Sequence, residues 1–80
     1  MTQPTKTKPF IGAYAIDPAI QLAIELATSM AEAGGCPRTV VRTRRNGVCI
    51  YNEFQLVVAK SEIVEEIYNT NDGFIYRQIA

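Results

Sequence analysis

The sequence predicts a single small α+β domain, an antiparallel sheet with two helices on one face in the ferredoxin-like order βαββαβ. Three observations predict this class: a helical period after Asp17-Pro18, an Asn46-Gly47 turn between two β-rich runs, and a second helical period followed by an alternating run. If the strand expected over 10–16 does not form, another small α+β sandwich is the fallback. We expect residues 1–9 to form a flexible tail and residues 10–80 the domain.

The first two predicted elements are a strand and a long helix. Residues 10–16 are rich in aromatic and β-branched side chains, which favour a strand. Asp17 is a typical N-cap, Pro18 suits the first helical turn, and Gly34-Gly35 predicts the helix end after Ala33. The expected apolar stripe of this helix is Ile20, Ala23, Ile24, Ala27, Met30 and Ala31, widened by Leu22 and Leu26.

A β-hairpin is predicted next, because Asn46-Gly47 suits the two-residue type I′ turn. Such a turn sets the register, so Arg42 is expected opposite Tyr51. After Tyr51 the chain could continue as one long strand to Ala59 or bend at Asn52-Glu53. On this register one face of the hairpin is apolar, with Val41, Thr43, Val48 and Ile50, and the other carries Arg42, Arg44 and Tyr51.

The remaining elements are a helix, a turn and a strand. Ser61 is expected to cap a short helix from Glu62 to about Asn69, with Ile63, Val64, Ile67 and Tyr68 on its buried side. Asn71-Asp72-Gly73 predicts a turn, and the alternation over 74–79 predicts the final strand.

Composition excludes several function classes. The chain has 80 residues, eight basic and eight acidic side chains, and no histidine. A polybasic membrane binder would show a basic excess, and Ser29 and Ser61 have no histidine to activate them as nucleophiles. Two cysteines, Cys36 and Cys49, make neither a disulfide framework nor a zinc site. We therefore expect a cytoplasmic protein without enzymatic activity, catalytic residues, metal, cofactor or membrane contact.

The arginines around the predicted hairpin are the feature that stands out. They supply four of the eight basic residues. Charge is also uneven along the chain: basic residues predominate up to residue 45, and acidic residues predominate after it. Arginine and aromatic side chains on an open sheet face suit a protein interface, and they could also stack nucleic-acid bases. The predicted partner-binding residues are Arg38, Arg42, Arg44, Arg45, Tyr51 and Tyr14.

Three functions follow as hypotheses. The first is a small binding protein, such as an inhibitor, an adaptor or an accessory factor of a mobile element, that contacts a protein partner and forms a homodimer. An acidic protein is one form that such a partner could take, given the arginines. The alternative is nucleic-acid binding through the same arginines and aromatics. A regulatory module that binds a small molecule comes third, by analogy of fold alone.

Overall fold

The computed structural model describes residues 17–79, which form two α-helices, a short 3-10 turn and four strands. The predicted tail over 1–9, the predicted strand over 10–16 and Tyr14 lie outside the described residues. In chain order the elements are α1 (Pro18–Gly34), β1 (Thr39–Thr43), β2 (Gly47–Tyr51), α2 (Glu53–Val58), the 3-10 turn (Lys60–Glu62), β3 (Ile63–Asn69) and β4 (Gly73–Gln78).

The four strands form one antiparallel sheet in the order β2-β1-β3-β4. Since β2 and β3 both pair antiparallel with β1, they run parallel to each other, and the crossover between them contains α2 and the 3-10 turn. The α+β class and the antiparallel sheet are confirmed for the described residues. The full ferredoxin-like order is not confirmed, because a strand stands where the second helix was predicted.

The long helix α1 forms as the sequence predicts. Asp17 accepts a hydrogen bond from the backbone N–H of Ala19 at 3.0 Å, and Pro18 opens the first turn. At the other end Gly35 adopts a left-handed conformation (φ 75°), and its N–H donates to the carbonyl of Ala31. The predicted caps therefore both operate.

The hairpin between β1 and β2 also forms, but its predicted register is wrong by three positions. Its loop has three residues, Arg44, Arg45 and Asn46, and Thr43 pairs with Gly47. The Thr43 hydroxyl accepts from the Asn46 N–H at 3.0 Å and donates to the Gly47 carbonyl at 3.0 Å, while Gly47 is left-handed (φ 68°). Three-residue hairpin loops commonly end with a left-handed residue, and they are the next most common type after two-residue turns.

The odd-numbered shift changes which side chains share a face of the sheet. Val40 now pairs with Ile50, and Arg42 pairs with Val48. The expected apolar face, which grouped Val41 with Val48, is therefore wrong.

The helix predicted from Glu62 to Asn69 is also wrong, because residues 63–69 form β3. Ile63, Glu65 and Ile67 are buried in alternation, as in a strand. The four-residue spacing of Ile63 and Ile67 fits both a helix and a strand, so it could not decide between them. Position in the sheet decides: β3 pairs with β1 on one side and β4 on the other. The predicted final turn and strand are confirmed as Asn71–Gly73 and β4.

The main core lies between α1 and the sheet. It is built from Ile20, Ala23 and Ala27 of α1, Val40 of β1 and Ile67 of β3. The two alanines let the helix approach the sheet closely. Partly buried residues complete this cluster: Ile24, Val48, Ile50, Tyr68 and Phe74.

Candidate interaction surfaces

The hairpin loop of Arg44, Arg45 and Asn46 is held against the 3-10 turn. The Arg44 Nε donates to the backbone carbonyl of Ser61 at 3.2 Å, and the Arg44 N–H donates to the carbonyl of Glu62 at 2.9 Å. The Arg45 Nε lies 3.8 Å from a Glu62 carboxylate oxygen, although 82% of the Arg45 side chain is exposed. Both arginines therefore have acceptors within the chain, and Arg45 remains open to solvent.

Arg42 lies in a different environment from the one expected. Its partner across the sheet is Val48 and not Tyr51, so its side chain lies on the face that packs against α1. The Arg42 Nε donates to Glu65 Oε1 at 3.4 Å, and only 8% of the Glu65 side chain is exposed. Tyr51 is half-buried and pairs with Thr39. The expected neighbourhood of Arg42 and Tyr51 is thus corrected by the register.

Arg38 precedes β1 at the end opposite the hairpin loop. Its Nη1 donates to the carbonyl of Cys36 at 2.9 Å, and its backbone exchanges hydrogen bonds with Thr70. A strand of five residues separates Arg38 from the hairpin loop, roughly 17 Å along the sheet. The structure brings Arg44 and Arg45 together and leaves Arg38 apart, while Tyr14 lies outside the described residues.

A large exposed apolar surface on α2 was missed by the sequence reasoning. We call Phe54, Val57 and Val58 the α2 apolar face; each is 61–73% exposed. No residue of α2 is buried, yet a complete capping box stabilises its N-terminus. The Asn52 side chain accepts from the Gln55 N–H, and the Gln55 side chain accepts from the Asn52 N–H, both at 2.8 Å. The pattern Asn-x-x-Gln was the signal that could have predicted this helix.

A second exposed apolar surface lies along α1. We call Leu22, Leu26 and Met30 the α1 stripe; these residues are 42–57% exposed and recur every four positions. Between the stripe and β2 runs a groove of about 500 Å³, which Ala19, Ala23 and residues 48–50 also line. None of the residues lining the groove is charged. Sequence periodicity placed the α1 stripe on the widened buried side, and the structure leaves it outside the core.

An aromatic cluster on β3 and β4 contributes to packing. The Tyr68 and Phe74 rings meet edge to face with centroids 5.1 Å apart, and the Phe74 and Tyr76 rings stack at 5.2 Å. In β4 two residues, Ile75 and Tyr76, lie opposite Ile67, and Tyr76 is left-handed (φ 57°). This bulge interrupts the regular ladder between β3 and β4.

The candidate metal ligands within residues 17–79 are cysteine, aspartate and glutamate side chains. No group of three histidine, cysteine, aspartate or glutamate side chains lies close enough there to hold a metal ion. Cys36 is exposed, Cys49 is half-buried, and neither forms a disulfide in the described structure. No helix within this range is long and apolar enough to cross a membrane.

Comparisons with protein families, curated proteins and solved structures identify no related protein. No protein-family model matches the chain, and no curated protein or solved structure matches it significantly. We therefore infer the function from the surfaces described above.

Proposed function

We propose that this protein is a non-enzymatic binding protein that acts through contacts with a protein partner. The α2 apolar face carries the proposal. A contiguous exposed set of large apolar side chains on a monomer typically marks an interaction site. Phe54 is the natural anchor of such a site, because aromatic side chains are enriched among the residues that dominate interface energies.

The hairpin loop is the proposed polar rim of this interface, because it contacts the 3-10 turn that directly follows α2. Val58 ends α2 only three residues before Ser61, whose carbonyl accepts the Arg44 side chain. Interfaces commonly combine an apolar centre with a polar, solvated rim. The partner proposed is therefore a protein with apolar side chains ringed by acidic ones, which the exposed Arg45 would attract.

The contacts of the arginines favour a protein over a nucleic acid. Arg42 and Arg45 each lie beside a glutamate, Glu65 and Glu62 respectively, and the whole chain has a net charge of zero. Nucleic-acid binding draws most of its affinity from uncompensated positive charge that releases counterions. A chain without net positive charge, whose Arg42 already pairs with Glu65, is poorly suited to that role.

The proposal is tested by co-purification from the native host followed by mass spectrometry, with nuclease-treated and untreated samples compared. We expect a protein partner that survives nuclease and is lost with Phe54→Ser combined with Val57→Ser. With the partner purified, this double variant is expected to lose at least about 2 kcal/mol of binding free energy, measured by calorimetry.

Lys60→Ala is the matched control, since Lys60 is exposed and lies just beyond α2 without belonging to its apolar face. It should bind like the wild type, and all variants should melt like it. Binding that persists in the double variant, or co-purifying nucleic acid whose affinity falls steeply with salt, would contradict the proposal.

We further propose that the chain forms a homodimer and works in the cytoplasm. The dimer is supported by the small size of the domain, which limits the core that one copy can bury. The cytoplasmic location is supported by the two unpaired cysteines.

A further inference from the structure

We infer that a second copy of this chain docks on the groove between α1 and β2, with β2 of each copy pairing antiparallel to β2 of the other. The inference rests on the homodimer proposed above and specifies its interface. In the resulting dimer the described strands of the two copies form one continuous sheet, and the two α1 helices pack side by side on the same face of it.

The edge formed by β2 is suited to pairing with another strand. Edge strands are usually protected by prolines, lysines, bulges or charged side chains. Residues 47–51 contain none of these, and their register with β1 is regular. The opposite edge, β4, carries the bulge at Tyr76 and the exposed polar residues Arg77 and Gln78. Among the described strands, β2 is therefore the edge left open.

The position of α1 fits the packing of two helices across such a junction. The helix lies over β1 and β2, so two copies joined at β2 hold their helices about two strand spacings apart, roughly 9.6 Å. Packed helices in proteins lie about 8–10 Å apart. Strand pairing and helix packing are thus satisfied by one arrangement.

The α1 stripe and the β2 edge also match in length and chemistry. From Ala19 to Met30 the groove follows α1 for roughly 16 Å. The five residues of β2 span roughly 17 Å. Neither the groove nor the stripe carries a charge, so no like charges oppose each other within the proposed contact. An isologous dimer brings each α1 stripe against its copy.

The first experiment measures the mass of the purified chain by light scattering and sedimentation. We expect twice the chain mass of 8.9 kDa at micromolar concentration. Leu22→Glu is expected to raise the dimer dissociation constant about 100-fold or more, because a carboxylate would be buried without a partner. Gln21→Glu adds the same charge at the neighbouring position, which faces away from the groove, and is expected to leave the dissociation constant unchanged.

The second experiment tests strand pairing by amide hydrogen exchange. Dimerisation should slow exchange in residues 47–51 as concentration rises, whereas β4 should exchange at the same rate at every concentration. Leu22 is exposed, so Leu22→Glu should remain folded by circular dichroism and exchange like the dilute protein.

Three results would overturn the inference. These are a monomer at all concentrations, a dimer that Leu22→Glu leaves intact, and a dimer whose β2 amides exchange independently of concentration. A monomer with β2 protected throughout would likewise overturn it, because the edge would then be covered within a single copy. Each result is read on the purified chain alone, so it leaves partner binding through the α2 apolar face to be judged separately.

Discussion

At the scale of single residues, the arginines show how one side-chain type takes different roles according to its surroundings. Arg42 lies beside a nearly buried glutamate, Glu65, whereas Arg45 lies in solvent at the hairpin loop. An exposed ion pair adds little to stability, but removing the partner of a nearly buried carboxylate is costly, even though 40% of the Arg42 side chain is exposed. Arg42 and Arg45 therefore do not form one exposed cluster, and we expect them to differ in their effect on stability.

The first prediction concerns this division. Arg42→Ala should lower the free energy of unfolding by about 1–3 kcal/mol, because it removes a charged hydrogen bond from a nearly buried carboxylate. Arg45→Ala, the matched control, should change it by less than about 0.5 kcal/mol. Urea unfolding of both variants measures the difference. Equal effects of the two substitutions would show that the Arg42–Glu65 contact contributes no more than an exposed pair.

The second prediction compares two neighbouring glycines at the end of α1. Gly34 is helical, and a methyl group there would meet only the end of the Arg38 side chain at 3.4 Å. Gly35 is left-handed, a conformation that costs other residues roughly 1–2 kcal/mol. Gly34→Ala should therefore stabilise the protein slightly, by up to about 1 kcal/mol, and Gly35→Ala should destabilise it by about 1 kcal/mol. Thermal melts with the same sign for both would contradict this account of the helix end.

At the scale of elements, α2 is a helix that local hydrogen bonds support more than burial does. Six residues are too few for a stable isolated helix, and none of them is buried. Its capping box at Asn52 and Gln55 and the acidic Glu53 in the first turn stabilise it instead. The helix thus presents the α2 apolar face to solvent without using that face to fold.

The third prediction tests this local support. Asn52→Ala should remove the side-chain acceptor of the cap and destabilise α2 by about 1 kcal/mol, whereas Asn52→Asp should keep the acceptor and most of the stability. Amide exchange measured by NMR at Leu56 and Ala59, whose N–H groups donate to the carbonyls of Asn52 and Gln55, reports on α2 directly. If Asn52→Ala leaves both amides as protected as before, the cap is not what maintains the helix.

At the scale of the whole molecule, the described fold combines a small core with apolar surface left outside it. Five residues form the main core cluster, while the α1 stripe and the α2 apolar face remain exposed. A domain of this size gains little surplus stability from its own core. Association that covers exposed apolar surface would therefore stabilise the fold as well as build an interface.

The fourth prediction follows from that coupling. The melting temperature of the wild type should rise with protein concentration. Only folded chains dimerise, so a higher concentration shifts the equilibrium towards the folded dimer by mass action. In Leu22→Glu the melting temperature should be independent of concentration, and Gln21→Glu should behave like the wild type. Differential scanning calorimetry over a wide concentration range measures this dependence. A constant melting temperature in the wild type would show that folding and association are not coupled.

The sequence alone determined the elements whose boundaries depend on local chemistry. Asp17-Pro18 and Gly35 delimit α1, and Asn71–Gly73 marks the last turn, because capping and left-handed backbone depend on residues within a few positions. The capping box at Asn52 and Gln55 is also local chemistry, although the β-rich residues before it favour a bend or a longer strand at this point. The arginine-rich hairpin was also visible, since its residues are consecutive.

Only the tertiary structure decided the hairpin register, the identity of β3 and the surfaces left exposed. The Thr43 side chain selects a three-residue loop over the two-residue turn, and this choice moves Arg42 to the face of α1. Residues 63–69 satisfy both a helical and an alternating pattern, and pairing with two strands settles the choice in favour of β3. An apolar residue has the same place in a sequence pattern whether it enters the core or not, so only tertiary packing decides that the α1 stripe and the α2 apolar face stay exposed.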